Sequence, residues 1–558
     1  MIASLSLLGA AQTLADELAA SIADTASPVA PLRPDFATDQ LRLVEQRRGG
    51  WLARAEAATP KLLRTPMEPV ALVKVEADAA GFQGWRTVVV DRPEAIFNRP
   101  LKPGDAFVID FGEHLVGYLT ISLRGFERPV DAPVRLRLVF GEVPAEVVEP
   151  FDPYQGGLSR SWFQDEVVTI DDLPATLTLP RRYAFRYLQL TVVACSTHGR
   201  FGIESLRADA VTSADPDRLA AFAADSPEEA AIDAIAVRTL RDCMHTVFED
   251  GPKRDRRLWL GDLRLQAQAN YVTYRQIDLV KRSLYLLAGT ATNEGLVGTC
   301  SFERPVPSRG DNSILDYTAL FAATVLDYLR ASGDRATAED LWPLVLRQLA
   351  FTLPPVDATG LFIPPKDWWL FVDWHPTLDR QAAEQAIVLF GLRATQDLAV
   401  MIGCDTAAAE LEPMIDRMKA ASRERLWDET AGVYVSGPQR QVSVASQAWM
   451  VLAGVPTEEE ARRAMTTAIA DAAAVKPVTP YMHHHVVEAL CTAGLCDMAR
   501  QYLLDYWGGM VTKGADTFWE VYVPEEEKRS PYGNHLMNSY CHAWSCTPSV
   551  FLRGGWTR

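Results

Sequence analysis

Asp250-Gly251-Pro252-Lys253-Arg254-Asp255-Arg256-Arg257-Leu258-Trp259-Leu260-Gly261-Asp262 divides this sequence in two. Before it, short runs of alternating apolar residues are cut by turn residues. After it, apolar residues recur at helical spacing almost to the end. The stretch itself packs three carboxylates, four cationic groups and one indole into thirteen residues. Gly251 and Pro252 forbid a helix at its start, and the amphipathic pattern resumes only after Asp262. A loop so charged costs conformational entropy to order unless its charges find partners. It is therefore either a solvated surface loop or an acid-bearing loop at the mouth of a cleft.

Working upstream, residues 66–215 carry the strand texture. Thr87-Val88-Val89-Val90, Ala106 to Phe111, Tyr118 to Leu123, Val134 to Phe140, Val167 to Ile170, Leu177 to Leu179 and Tyr187 to Val193 alternate and end at turn residues. Strands at this spacing with no helices between them predict an antiparallel β-sandwich. Residues 1–65 are Ala-rich, broken by Pro28, Pro31 and Pro34, and read as an N-terminal arm. Downstream, residues 226–558 read as an all-α domain. Helices are expected over 227–246, 262–289, 312–331, 337–353, 379–402, 407–426, 443–453, 457–471, 481–494, 496–507 and 533–551. That number exceeds a simple bundle and approaches the twelve of an (α/α)6 barrel, whose loops at one end converge on a central cleft. The charged aromatic loops at 250–262, 293–312, 364–376, 476–485 and 512–535 are spaced as such a cleft requires.

Composition narrows the function. The chain has 558 residues, 48% hydrophobic and 23% charged, with formal net charge −17. Such a chain buries a large core. Its acidity argues against nucleic acid and anionic membrane as partners, and no run reaches the roughly 18–20 apolar residues of a membrane span. The eight cysteines form no C-x-x-C pair and read as free thiols in a reducing compartment, so the expected location is cytoplasmic, with periplasmic as the alternative. Ile2 to Ala11 is apolar, but no Lys or Arg precedes it, which argues against a cleaved signal. No G-x-S-x-G, H-E-x-x-H or phosphate loop is present, which disfavours serine acyl transfer, zincin chemistry and nucleotide hydrolysis.

What remains is carboxylates among aromatic rings. Two carboxylates flanking a bond are the minimum for glycoside hydrolysis. Asp250, Asp255 and Asp262 supply one side. Glu520, in Ala515-Asp516-Thr517-Phe518-Trp519-Glu520-Val521-Tyr522, supplies the other, unless it only packs beside core aromatics. Lys366-Asp367-Trp368-Trp369-Leu370-Phe371-Val372-Asp373-Trp374-His375 offers Trp368, Trp369 and Trp374 as a stacking platform, one or two of them expected to be functional, and Asp367 and Asp373 as hydroxyl acceptors, though some of these rings simply fill core. His483-His484-His485 does not read as a metal site, because consecutive helical residues cannot all face one ion. One or two of them, His485 first, are expected to face a polar cleft. His542 is a candidate for a hydroxyl contact.

These residues carry a resemblance. The stretch 250–262 resembles the D-C-P-x-R-D-E-R-x-G-W-x-G-D loop of glycoside hydrolase family 78, the α-L-rhamnosidases. Phe371-Val372-Asp373-Trp374 resembles the family's G-D-W element and Thr517-Phe518-Trp519-Glu520 its T-x-W-E element. Phe107-Val108-Ile109-Asp110-Phe111-Gly112 with Val116-Gly117-Tyr118 resembles its F-x-x-D-F-G-Q-N-x-x-G-W strand pair, and Phe185-Arg186-Tyr187-Leu188 its F-R-Y strand. The resemblance spans roughly 80 to 555.

The resemblance implies an inverting exo-glycosidase on an (α/α)6 barrel, with a carbohydrate substrate and no cofactor or metal; a homodimer is a compatible assembly. It implies Glu520 as general base. The acid is displaced, because this loop is one residue shorter. Counted from Asp250, the family's Glu falls on Arg256; counted back from Trp259 and Asp262, it falls on Asp255. Asp255 is the expected acid and Asp262 the second choice. Trp259, Trp374 and Trp519 are expected to wall the pocket, with Asp250, Arg254 and His542 holding hydroxyls. For Asp255 to carry a proton, at least one neighbouring arginine is expected to pair with Asp250 or Asp262 instead. Alternatives are another deoxy, uronic or pentose sugar, a lyase, or a non-catalytic carbohydrate-binding homologue.

Overall fold

The computed structural model describes residues 37–126 and 130–556. The apolar run Ile2 to Ala11 lies outside them. Nine strands, from Leu63–Met67 to Arg200–Thr212, form an antiparallel network in the N-terminal half. Its centre is the 21-residue strand Ala106–Phe126. The first part of this strand pairs with Ala71–Ala77 and Tyr183–Ala194; the second pairs with Arg200–Thr212 and Ala175–Thr178. The alternation read as two strands is thus one bent strand shared by both layers of the sandwich. The bend is a register shift between Asp110 and Leu115, where Gly112 adopts φ 86°, a backbone that other residues resist. The apolar positions do point inward: Ile109, Leu119, Ile121, Leu136, Leu138, Phe185 and Leu188 are fully buried. Three strands escaped the sequence reading: Leu63–Met67, Ala71–Ala77 and Arg200–Thr212. Pro66 argues against a strand, and the fold accommodates it by placing Leu63–Met67 at a sheet edge.

From Pro227 onward, twelve α-helices pair as six hairpins among the described residues. The inner members are Leu260–Val272, Leu315–Ser332, Gln381–Met401, Val444–Leu452, Pro480–Thr492 and Pro548–Gly554. Each packs on its neighbours, and the last closes onto the first, in part through the single turn Ala543–Ser545. The expected helix over 262–289 is two, Leu260–Val272 and Ile277–Gly289. Asn270 breaks it: its side-chain oxygen accepts from the Gln276 amide and its carbonyl from the Arg275 amide, leaving Arg275 at φ 55°. The expected helix over 533–551 is mostly irregular, and only Pro548–Gly554 is α-helical. Its polar groups are spent on the loops that line the cleft.

The ring is held tightly between Leu315–Ser332 and Gln381–Met401. A Cβ at Gly391 would stand 2.3 Å from the Ala319 carbonyl oxygen, inside contact distance. Gly391→Val should therefore force these helices apart and lower stability by about 1–3 kcal/mol. Thermal or denaturant unfolding measures it, and an unchanged midpoint would contradict the packing described.

The two halves are joined by buried polar contacts. His114 sits 2.7 Å from Asp242 and 3.2 Å from Glu142. Gln83 Nε2 donates to the Tyr540 hydroxyl at 2.6 Å, and Lys253 Nζ to Glu146 Oε1 at 2.5 Å. Helix Ala37–Ala57 packs not on the sandwich but on helices Ile277–Gly289 and Arg335–Thr352, where Trp51 Nε1 donates to Asp340 at 2.9 Å. Among the described residues no helix is long and apolar enough to cross a membrane.

Candidate active site

The charged loop folds on itself. The Asp250 amide and carboxylate meet the Arg257 carbonyl and amide, each at 3.1 Å, and the Asp250 carbonyl accepts from the Ala543 amide at 2.7 Å. Asp255 and Arg256 close the turn in the left-handed region, at φ 59° and 54°, a conformation that Asp tolerates better than most residues. The turn separates adjacent side chains. Asp255 faces a cavity of about 330 Å³ at the end of the barrel. Arg256 does not border that cavity; burial, with Arg182 beside it, lowers its guanidinium to about 10.

Across the cavity, Glu520 is fixed by the chain's last loops. Its Oε2 accepts from Arg254 Nη2 at 2.5 Å and from the Ser539 amide at 2.9 Å; its Oε1 accepts from the Tyr532 hydroxyl at 2.5 Å. Burial opposes ionisation of Glu520, but Arg254, His542 and these donors outweigh it and hold the carboxyl at about 2. Arg254 also bridges the two sides, with Nη1 3.7 Å from Asp255 Oδ1. A guanidinium's terminal nitrogens are about 2.3 Å apart, so the bridged oxygens of Asp255 and Glu520 are at most about 8.5 Å apart.

The carboxylates differ in depth. Asp250, Asp262 and Glu520 are buried, whereas the Asp255 side chain is 16% exposed. Burial, then the charges of Asp255 and Asp262, push Asp250 well above the carboxylate range. Burial raises Asp262 too, opposed by His542, whose Nε2 lies 3.2 Å away. The expected arginine pairing with Asp250 or Asp262 is not found. Arg254 goes to Glu520, Arg257 lies over the Phe302 ring at 4.3 Å, and only the Arg257 backbone reaches Asp250. The tight turn leaves no guanidinium free to reach back, and burial keeps Asp250 and Asp262 from needing one.

Of the residues named from sequence, Asp250, Arg254, Asp255, Trp259, Asp262, Trp374, Glu520 and His542 line this one cavity. Trp519 does not: it is buried, stacked on Phe82 at 3.8 Å. Asp373 is inside the protein, accepting from the Val478 and Thr479 amides at 2.8 and 3.0 Å. His485 lies in the barrel core, 4.2 Å from the Trp449 ring, and Trp368 packs against the core beside the site. Lining residues the sequence did not single out include Tyr317, Tyr532 and Trp544, with Leu158 and Trp162 from the sandwich. The last pair comes from a loop about a hundred residues upstream, and no local pattern marks it. The 371–374 wall depends on another unflagged residue, Asp316. Its carboxylate accepts from the Phe371 and Val372 amides at 3.2 and 3.0 Å, holding Val372 at φ 51°, a strained backbone for a β-branched residue.

Among the described residues, two buried clusters have ligand atoms close enough for one metal ion: His114, Asp242 and Cys541, and His484, His485 and Glu488. Two adjacent histidines therefore do converge, with Glu488 one turn on. In both clusters ring nitrogens already serve internal bonds, as in His114 between Asp242 and Glu142 and His485 against the Tyr481 carbonyl.

A ring of six helical hairpins, fronted by a β-sandwich and carrying carboxylates on both sides of an aromatic-walled cavity, is an arrangement suited to glycoside hydrolysis. Residues 69–210 match the glycosyl hydrolase family 78 alpha-rhamnosidase N-terminal domain, and residues 217–554 the bacterial alpha-L-rhamnosidase 6 hairpin glycosidase domain. The chain belongs to glycoside hydrolase family 78. Among solved structures it is similar to a rhamnosidase from Klebsiella oxytoca with rhamnose bound, at 45% identity and a TM-score of 0.88, covering 91% of this chain and 98% of that one. The family 78 rhamnosidase of Bacillus sp. GL1 shares the fold at 23% identity and a TM-score of 0.69, over 84% of this chain and 49% of its own. The α-L-rhamnosidase from Dictyoglumus thermophilum does so at 14% and 0.63, over 88% and 51%. This chain thus spans about half the length of those two proteins. No curated protein sequence matches.

Proposed function

We propose that this glycoside hydrolase is an inverting exo-enzyme that releases terminal α-L-rhamnose, with Asp255 as general acid and Glu520 as general base. The observation that carries this is the Arg254 bridge, which sets two carboxylates of different depth across one cavity. Their separation, at most about 8.5 Å, is compatible with the roughly 6.5–9.5 Å that inversion uses. A terminal sugar would occupy the buried floor, against Tyr317, Phe371 and Trp544. Apolar rings there suit the methyl group of a 6-deoxy sugar. Trp259 Nε1 and Trp374 Nε1 are buried without a hydrogen-bond partner, and sugar hydroxyls would satisfy them. The leaving group would point to the mouth, where Asp255 sits to protonate its oxygen. Asp250, raised by its surroundings, would keep a proton in that cluster. Glu520, ionised across the working range, would take a proton from the attacking water. The sugar itself is supported by the likeness to the Klebsiella oxytoca protein that binds rhamnose.

A panel of 4-nitrophenyl glycosides tests the sugar. The α-L-rhamnoside should be cleaved, with the β-anomer of rhamnose appearing first in the proton NMR spectrum. Turnover only of another deoxy, uronic or pentose glycoside would overturn the substrate, and a first-formed α-anomer would overturn inversion.

A further inference from the structure

We infer that Tyr532 is a positioning residue: its hydroxyl fixes the direction in which Glu520 Oε1, the oxygen left open by Arg254 and the Ser539 amide, is presented to the attacking water. The inference rests on Glu520 being the base. Oε2 of Glu520 is already occupied by two donors, Arg254 Nη2 and the Ser539 amide. Oε1 has one protein donor, the Tyr532 hydroxyl at 2.5 Å, and so keeps a lone pair for a water. Without that hydroxyl, Oε2 would still be held by its two donors, but Oε1 would lose the protein donor that aims it and the carboxylate could swing further about its terminal bond.

Tyr532 is built to do this. Its ring borders the cavity and carries the Arg254 guanidinium 4.3 Å above its centre, so one side chain orients both the base and the base's counter-ion. The Trp374 ring meets it edge-on at 6.1 Å. Its carbonyl accepts from the Gly157 amide at 2.9 Å, so a loop of the sandwich holds the backbone from outside the barrel. That loop is itself braced: Phe151 stacks on Phe163 at 4.0 Å, and the Leu158 amide donates to the Tyr154 hydroxyl at 3.2 Å. The sandwich would thus reach the chemistry through Tyr532. Burial raises the Tyr532 hydroxyl well above its ordinary value, so it remains a donor throughout the range in which Glu520 is ionised.

The test is Tyr532→Phe in the full-length enzyme, with Glu520→Gln run in parallel. The acidic limb of kcat/KM reports the ionisation of the free enzyme's base. Loss of a donor to the ionised form raises that pKa, so the limb should move to higher pH by about one unit. kcat should fall about 10- to 100-fold while KM stays within about threefold, as expected for an interaction used mainly in the transition state. Gly157→Pro, which removes the amide holding the Tyr532 carbonyl while also fixing the backbone at 157, is the second variant and should shift the limb the same way by less. An unchanged kcat in Tyr532→Phe, or a lowered kcat with the wild-type pH profile, overturns the inference while leaving Glu520 as base. If Glu520→Gln itself retains full activity, the base assignment fails and takes the inference with it.

Discussion

Glu520→Gln should lower kcat by about 10³-fold or more, and Asp255→Asn by about 10²- to 10⁴-fold on substrates with poor leaving groups. Both replacements keep size, but each turns one acceptor oxygen into an NH2 donor, and Glu520→Gln leaves Arg254 without its charge partner, so thermal unfolding must first show that each variant is folded. Asn also accepts the left-handed backbone of residue 255, which makes Asp255→Asn a fair test of the proton rather than of the turn. The two losses should differ with the leaving group. An activated aryl leaving group needs little protonation, so Asp255→Asn should recover most of its deficit there. Glu520→Gln should recover none, since the water must still be deprotonated. Steady-state kinetics on a nitrophenyl glycoside and on a disaccharide would show this, and full activity in both variants would remove the assignment. Asp262→Asn is the control for the second-choice acid. If it loses the leaving-group-dependent rate and Asp255→Asn does not, the acid is Asp262.

Arg254→Met should be the most destabilising single change at the site. It strips Glu520 of its counter-ion inside the protein, and breaking a buried pair in this way costs about 3–5 kcal/mol. The direction with pH follows from the carboxyl. Glu520 is lowered from 4.5 to about 2 in the folded protein, which corresponds to about 3 kcal/mol of stabilisation. Because the folded value is depressed, that contribution is complete above about pH 4.5 and is lost as pH falls toward 2. In Arg254→Met the depression is removed, so the stability difference from wild type should be largest near neutrality and shrink in acid. Denaturant unfolding at pH 7 and at pH 3 checks it. A difference that grows on acidification would mean Glu520 is not the group Arg254 stabilises. The acidic limb of kcat/KM should also move upward, by more than in Tyr532→Phe, since a full charge is lost rather than a neutral donor. Arg254→Lys should rescue little, because an ammonium cannot reproduce the planar fork that meets Glu520 and the Met537 carbonyl together.

The sequence determined the architecture because burial imposes periodicity. Alternation over 134–140 and 187–193 marked the sandwich strands, and helical spacing after Asp262 marked the ring, since each segment must turn one face inward. It also named much of the cavity lining: Asp250, Arg254, Asp255, Trp259 and Asp262 fall within thirteen consecutive residues, so their proximity is covalent. Local pattern could not decide which aromatic rings meet the cavity. Trp374 and Trp519 look alike in sequence, yet one borders the site and the other stacks on Phe82, far away along the chain. Nor could it show that Arg254, 3.7 Å from Asp255 of its own loop, would also pair with Glu520, more than 250 residues later. Tyr532, Asp316, Leu158 and Trp162 were invisible for the same reason. Their roles are pairings made by closing the ring and docking the sandwich on it, and such distances exist only once the chain has folded.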